Sequence, residues 1–336
     1  MDVTLVLAIA LAFAFALTNG FHDASNAIAT LVATKAARPA QALALAAVFT
    51  MLGPLLVGAA VATTIGGIVV VPAGETAEVV GAGLVAATGW NLLTWWRGLP
   101  SSSGHALVGG LTGSALVAGG VGAVNWGGLD GWHPVGVVGT LVALAVSPVL
   151  GALAAFGLIR GLTVLLRTGT RRLRAPVNAG QWVGSAALSL SHGANDAQKT
   201  IGVVAALLLA SGRISSPAAP LWVELAAAGT LALGTALGGW RIVRTIGRRI
   251  YRIRPLDGLS SQTGSAAVIL GASFVGAPVS TTHVVASSIV GVGVGRRRWR
   301  HVRWPIVREM LIAWVTTLPA CAALAAPTLI LWRWLA

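Results

Sequence analysis

Charge is scarce in this chain. Aspartate, glutamate, lysine and arginine make up 10% of its 336 residues, and only nine of them are acidic. So little polar surface excludes an ordinary soluble domain, because 56% of the residues are hydrophobic and the mean hydropathy is +0.82. Cysteine is nearly absent. The single Cys321 excludes an internal disulfide framework and a thiolate metal site. No glycine-rich phosphate fingerprint of the nucleotide-binding kind is present, since glycines such as Gly109, Gly110, Gly113, Gly291, Gly293 and Gly295 lie in apolar runs that suit close helix packing. The first apolar run lacks a basic leader and passes directly into polar residues, so it reads as a retained helix.

What remains is a polytopic membrane protein. At about 20 residues per crossing, the apolar stretches allow about ten spans. They run from Val3 to about Ala33, Gln41 to Val70, Val79 to Trp96, Pro100 to Val124 and Pro134 to Ile159. A basic linker then holds Arg160, Arg167, Arg171, Arg172 and Arg174, and the second half continues Gln181–Ala210, Leu221–Trp240, Leu259–Ala277, Val279–Gly295 and Pro305–Trp332. The net charge of +14 is confined to a few connections. With both termini outside, all basic residues except Arg213, Arg333 and the intramembrane Lys199 fall on the cytoplasmic side, while Asp2, Glu75, Glu78 and Asp130 fall outside. This segregation explains the basic loops as topology and lipid contact, without nucleic acid.

Against that background two polar stretches stand out. Ser191-His192-Gly193-Ala194-Asn195-Asp196-Ala197-Gln198-Lys199 interrupts an apolar segment, and Asn19-Gly20-Phe21-His22-Asp23-Ala24-Ser25-Asn26 interrupts another. Charges at bilayer depth cost roughly 2.5–3.5 kcal/mol each on insertion scales and are retained mainly where they act. Asp23 and Asp196 lie 173 residues apart. A second pair keeps nearly the same offset: Pro100-Ser101-Ser102-Ser103-Gly104-His105 and Pro278-Val279-Ser280-Thr281-Thr282-His283, 178 residues apart. Five spans in each half, an odd number, place the halves in opposite orientations, which is the inverted-repeat plan of secondary transporters. The expected division is residues 1–160 and 181–336 as repeats, with 161–180 as the linker.

Each proline marks a helix break, and the hydroxyls and free N–H groups beyond it form a donor set for a small oxyanion. Ser102, Ser103, Ser280, Thr281 and Thr282 are the candidate anion ligands, with Asn26, Asn195, Gln198 and Lys199 beside them. Asp23 and Asp196 repel an anion, so they make sense as cation or proton sites, with amide oxygens from Asn19, Asn26 and Asn195 completing a shell. Lys199 serves either as the partner of Asp196 or as a direct anion ligand. His105 and His283 are expected to brace the breaks through hydrogen bonds. The roles of His22 and His192 are left open, with proton handling plausible for both. No cofactor is expected.

These four motifs closely resemble the inorganic phosphate transporter (PiT) family, and the Gly-Phe-His-Asp form of the first is similar to its bacterial low-affinity permeases. The resemblance spans the whole chain. It implies an all-α inverted-repeat fold with discontinuous helices and about 10–12 membrane segments, frequently dimeric, in the bacterial cytoplasmic membrane. It also implies phosphate carried with sodium or protons, in some relatives as a neutral metal complex, with anion contacts from Ser102, Ser103, Ser280, Thr281 and Thr282 and ion coupling at Asp23 and Asp196. Gly104 replaces a hydroxyl residue common in the first motif. Thr50 and Gln262 stand where sodium-coupled members tend to carry glutamate, which favours protons over Na+ at Asp23 and Asp196. A sulfate permease of the same fold is the nearest alternative, and an intramembrane hydrolase using Ser-His or Asp-His pairs is a distant one.

Overall fold

In the computed structural model, which describes residues 2–131, 133–167 and 173–335, twelve α-helices follow one another with one small hairpin between them. They are α1 (Val3–Ala33), α2 (Pro39–Val57), α3 (Ala60–Gly66), α4 (Thr76–Arg97), α5 (Ser103–Gly119), α6 (Gly136–Leu165), α7 (Arg174–Ala210), α8 (Leu221–Leu237), α9 (Trp240–Arg244), α10 (Pro255–Phe274), α11 (Thr281–Gly295) and α12 (Trp304–Leu335). The protein is an all-α polytopic membrane protein. Among the described residues five helices (α1, α2, α5 with its 3₁₀ extension, α6 and α12) are long and apolar enough to cross a bilayer, and α8 with α9 adds a sixth bent by 59°. The helices α4, α7 and α10 have 22, 37 and 20 residues, enough length to span at 1.5 Å per residue. Large apolar side chains such as Leu56, Leu153, Leu165, Val183 and Val315 project outward, as lipid-facing surfaces require.

The observed elements repeat in order, α1–α6 corresponding to α7–α12. The second span of each half is not the single helix expected from the sequence. Both are broken at a glycine with positive φ, Gly58 (φ 82°) after α2 and Gly238 (φ 71°) after α8. Pro54, the more obvious breaker, sits inside α2 without ending it. The basic stretch after Trp240 is correspondingly not a loop, because α9 is followed by a π-helical turn over Thr245–Arg249. The connection between the halves is also shorter than residues 161–180: Arg160 lies within α6 and Arg174 opens α7, while Arg171 and Arg172 lie outside the described residues. A hairpin of Gly128–Asp130 with His133–Val135 joins α5 and its 3₁₀ extension to α6.

The halves interlock. A Cβ on Gly20 of α1 would meet the Leu231 carbonyl oxygen of α8 at 2.3 Å, and one on Gly193 of α7 would meet the Thr50 carbonyl oxygen of α2 at 2.0 Å. Each half's first helix therefore presses on the other half's second helix at a position where only glycine fits. Likewise Gly109 and Gly113 of α5 touch the backbone of α12, and Gly291 of α11 touches that of α6.

Two apolar cores result, with a polar layer between them. Leu5, Ala8, Ala12 and Phe15 of α1 share one core with Val203, Val204 and Leu207 of α7, while Ala27, Ile28 and Leu31 of α1 share the other with Leu188 of α7. The two helices thus run antiparallel, and their polar motifs coincide at mid-depth.

Candidate polar site between the two cores

Short helices begin in this layer, and the sequence dictates how. Gly98 (φ 67°) and Gly276 (φ 71°) adopt the left-handed conformation that favours glycine. Pro100 and Pro278 follow two residues later and keep the chain extended. Ser102 and Ser280 then become N-caps, each hydroxyl oxygen accepting at 3.2 Å from a backbone N–H three residues on, that of His105 or His283. The N-termini of α5 and α11 therefore carry the same cap, 178 residues apart in sequence.

The two starts meet at the carboxylates. Asp23 Oδ1 accepts from Thr282 Oγ1 at 2.9 Å, and Asp23 Oδ2 from Ser103 Oγ at 3.2 Å and Thr281 Oγ1 at 3.3 Å. The same Thr281 hydroxyl lies 3.0 Å from Asp196 Oδ2. Ligand atoms of Asp23, His192 and Asp196 all fall within 4.8 Å of one another. At that spacing two ionised carboxylates repel by roughly 3–4 kcal/mol for an effective dielectric constant of about 20. All of these groups are buried, Asp196 completely and Asp23 to within 1%.

Each carboxylate has its own company. Lys199 Nζ pairs with Asp196 Oδ1 and donates to the Val279 carbonyl at 2.9 Å, and His192 Nε2 lies 2.9 Å from Asp196 Oδ2. Among the described residues no lysine or arginine pairs with Asp23. Its remaining partner is His22, whose Nδ1 donates to Oδ1 at 2.8 Å. His22 Nε2 is in turn 3.1 Å from Thr94 Oγ1 and 3.2 Å from Ser101 Oγ, and Ser101 donates to Thr94 at 2.8 Å. Thr94 was silent in the sequence, since one threonine in an apolar helix carries no pattern.

Among the sequence candidates, Asp23, Asp196, Ser103, Thr281, Thr282 and Lys199 form one cluster. Asn26 joins it by donating to Thr282 at 2.9 Å. Ser102 and Ser280 are one residue away as caps. Others point elsewhere. Asn195 donates to Ser273 and the Ala277 carbonyl, each at 3.1 Å, toward the end of α10. Gln198 accepts from the Val61 N–H at 2.8 Å and so satisfies an orphan donor where α3 begins. Asn19 is fully buried one turn before Asp23 with neither amide atom paired.

The histidines do not brace the breaks by side-chain hydrogen bonds. His105 Nδ1 and His283 Nε2 have no partner; the rings instead face each other at 4.8 Å, and His283 stacks on Trp314 at 3.8 Å. Only their backbone N–H groups hold the caps. Trp314 Nε1 donates to the Pro100 carbonyl at 3.0 Å, bracing the first break in a way no motif revealed. Gly104 gains a reason: a Cβ there would stand 3.2 Å from Lys199 Nζ, so the ammonium occupies the side of the first motif where a donor is lacking. Thr50 and Gln262 are buried and hydrogen-bonded, to the Ser189 carbonyl and to Thr30.

Chemically, the layer presents hydroxyl donors, helix N-termini, one ammonium and two carboxylates in a buried site. Comparison with known proteins agrees in kind. The "Phosphate transporter family" matches residues 19–176 and 167–325. A probable low-affinity inorganic phosphate transporter of Bacillus subtilis (strain 168) is 41% identical over 335 residues, covering 97% of both chains. Its counterpart in Rhizobium meliloti (strain 1021) is 39% identical over 333 residues with the same coverage. A solved structure described as "The sodium-dependent phosphate transporter" superposes with a TM-score of 0.85 at 25% identity, covering 99% of this chain and 100% of that one. These relatives are transporters, not enzymes, which removes the intramembrane hydrolase reading.

Proposed function

This chain belongs to the phosphate transporter family, and from that premise we propose that it imports inorganic phosphate together with protons, by alternating access around the Asp23–Asp196 layer. The halves α1–α6 and α7–α12 act as inverted repeats in the bacterial cytoplasmic membrane, with the basic end of the bundle inward and both termini outside. The observation that carries the coupling is the Thr281 hydroxyl, which faces Asp23 Oδ2 and Asp196 Oδ2 at 3.3 and 3.0 Å with a single proton to give. A proton on one carboxyl completes both contacts and relieves the repulsion between them.

Coupling then follows from competition for donors. While the carboxylates are ionised they consume the hydroxyls of Ser103, Thr281 and Thr282 and the ammonium of Lys199. Protonation weakens those bonds, and the donors turn to phosphate oxygens with Ser102, Ser280 and the N–H groups of α5 and α11. The chain from Thr94 and Ser101 through His22 to Asp23 is the proposed proton relay. Phosphate also keeps a titratable proton near neutrality, which a carboxylate accepts and sulfate lacks. That favours phosphate over sulfate.

Reconstitution into liposomes tests this. An inward proton gradient drives labelled phosphate uptake, a sodium gradient alone does not, and a tenfold excess of sulfate leaves uptake intact. Uptake driven by sodium without a pH gradient would replace the proton with Na+ at the two aspartates, and uptake abolished by sulfate would overturn the substrate.

A further inference from the structure

A second concave polar region lies at the basic end of the bundle, away from the carboxylate layer. Three separate segments build it: the end of α1, the stretch from the π-helical turn to the start of α10, and the α11–α12 connection. Lys35, Arg252, Arg254, Arg298 and Arg303 line a cavity of about 790 Å³. No acidic side chain lines it, and none of these five forms an ion pair among the described residues. The nearby Asp257 is already committed, pairing with Arg296 at 2.9 Å and capping the Arg254 N–H at 3.0 Å.

Topology accounts for basic residues on this face, but not for their convergence into a hollow. Nor does it account for Tyr251, the chain's only tyrosine, which lines the same cavity with 3% of its surface exposed. Its hydroxyl is buried beside the Arg298 guanidinium and has no carboxylate or carbonyl to donate to among the described residues. Burial, reinforced by the Asp257 carboxylate, outweighs the opposing pull of Arg298 and Arg254 and holds that hydroxyl above its ordinary pKa. Five cationic side chains without an acidic partner around one hollow favour an anion there, with the Tyr251 hydroxyl as a neutral donor beside them.

We infer that this cavity is a binding site for an anion bearing two or more phosphate groups. The volume decides against a single phosphate, since cavities of roughly 300–1,000 Å³ suit ligands of many heavy atoms. Four guanidinium groups provide forked donors for several phosphate oxygens at once. Two sources share this chemistry: a soluble polyphosphorylated molecule, and the headgroup of a two-phosphate lipid such as cardiolipin. The Arg303 N–H bonds the Ile250 carbonyl at 3.0 Å, so the α11–α12 connection is tied to the stretch before α10 without any ligand.

Full-length protein in phosphatidylcholine nanodiscs separates the sources. One arm titrates tripolyphosphate by calorimetry; the other adds cardiolipin and counts the lipid retained by native mass spectrometry. Arg252→Gln/Arg254→Gln/Arg303→Gln is compared with Arg160→Gln/Arg167→Gln/Arg308→Gln, which removes equal charge from exposed positions outside the cavity. Affinity or retention falls at least about tenfold in the first variant and not in the second. Tyr251→Phe, which keeps the ring, weakens binding by about threefold with unchanged thermal unfolding. Tripolyphosphate binding identifies the soluble source and cardiolipin retention the lipid. Absence of both, or equal loss in the two triple variants, overturns the site.

Discussion

Asp23 and Asp196 occupy corresponding positions in the two halves, yet they are stabilised by opposite means. Asp196 lies beside Lys199 and His192, both on its own helix within one turn. Asp23 draws on hydroxyls from α5 and α11 and on its neighbour His22. The scaffold around them is nearly symmetric, down to Gly20 and Gly193 at the two helix crossings. The lesson is that the two halves share the frame while the charges around their acids differ. One carboxylate carries a built-in counterion. The other depends on hydroxyls from α5 and α11 and on His22.

The strongest test of this difference is to neutralise each acid in turn. Asp196→Asn strands a buried ammonium and costs about 3–5 kcal/mol of stability. Asp23→Asn loses only hydrogen bonds to a charge, at about 1.5–3 kcal/mol. Both abolish uptake in liposomes, but thermal unfolding separates them, and equal losses of Tm would erase the distinction. Removing the pair sharpens it: Asp196→Leu/Lys199→Met regains most of the stability lost in Asp196→Asn while transport stays absent. In the frame the expectation is the reverse. Gly20→Ala and Gly193→Ala each cost about 1–3 kcal/mol, because both Cβ atoms meet backbone, and the two values agree within about 1 kcal/mol. The smallest effect belongs to the relay. Thr94→Val leaves the fold within about 1.5 kcal/mol of the parent. Proton-driven uptake, which rises as external pH falls, becomes less steep in this variant, measured as the pH profile of initial rates.

Much of this was legible before any coordinates. The duplicated Pro-hydroxyl-His motifs announce two helix starts because proline, a capping serine and the preceding glycine act locally. Asp23 and Asp196 announce themselves by their cost in an apolar environment. What stayed hidden depends on partners distant in sequence. Gln198 reads as part of the Asp196 motif, yet its carbonyl serves the Val61 N–H, because the break at Gly58 leaves that donor unpaired. The break itself was masked by the apolar run around it, which reads as one continuous span from Gln41 to Val70. His105 and His283 were read as braces through hydrogen bonds, and it is their backbone N–H groups that make them, while the rings contact each other and Trp314, which only the folded geometry provides.

The interlocking of the halves also has a consequence for biosynthesis. The partners of Asp23 on α11, Thr281 and Thr282, are translated 258 and 259 residues after it. At about 5–20 residues per second, that is a delay of roughly 13–50 seconds. Asp196 meets Lys199 only three residues later, within the same helix turn. One acid thus enters the bilayer already neutralised by its own segment. The other waits through most of the protein's synthesis with only His22 and Ser103 for company, and the nascent first half is the form of this protein with most need of a protective environment.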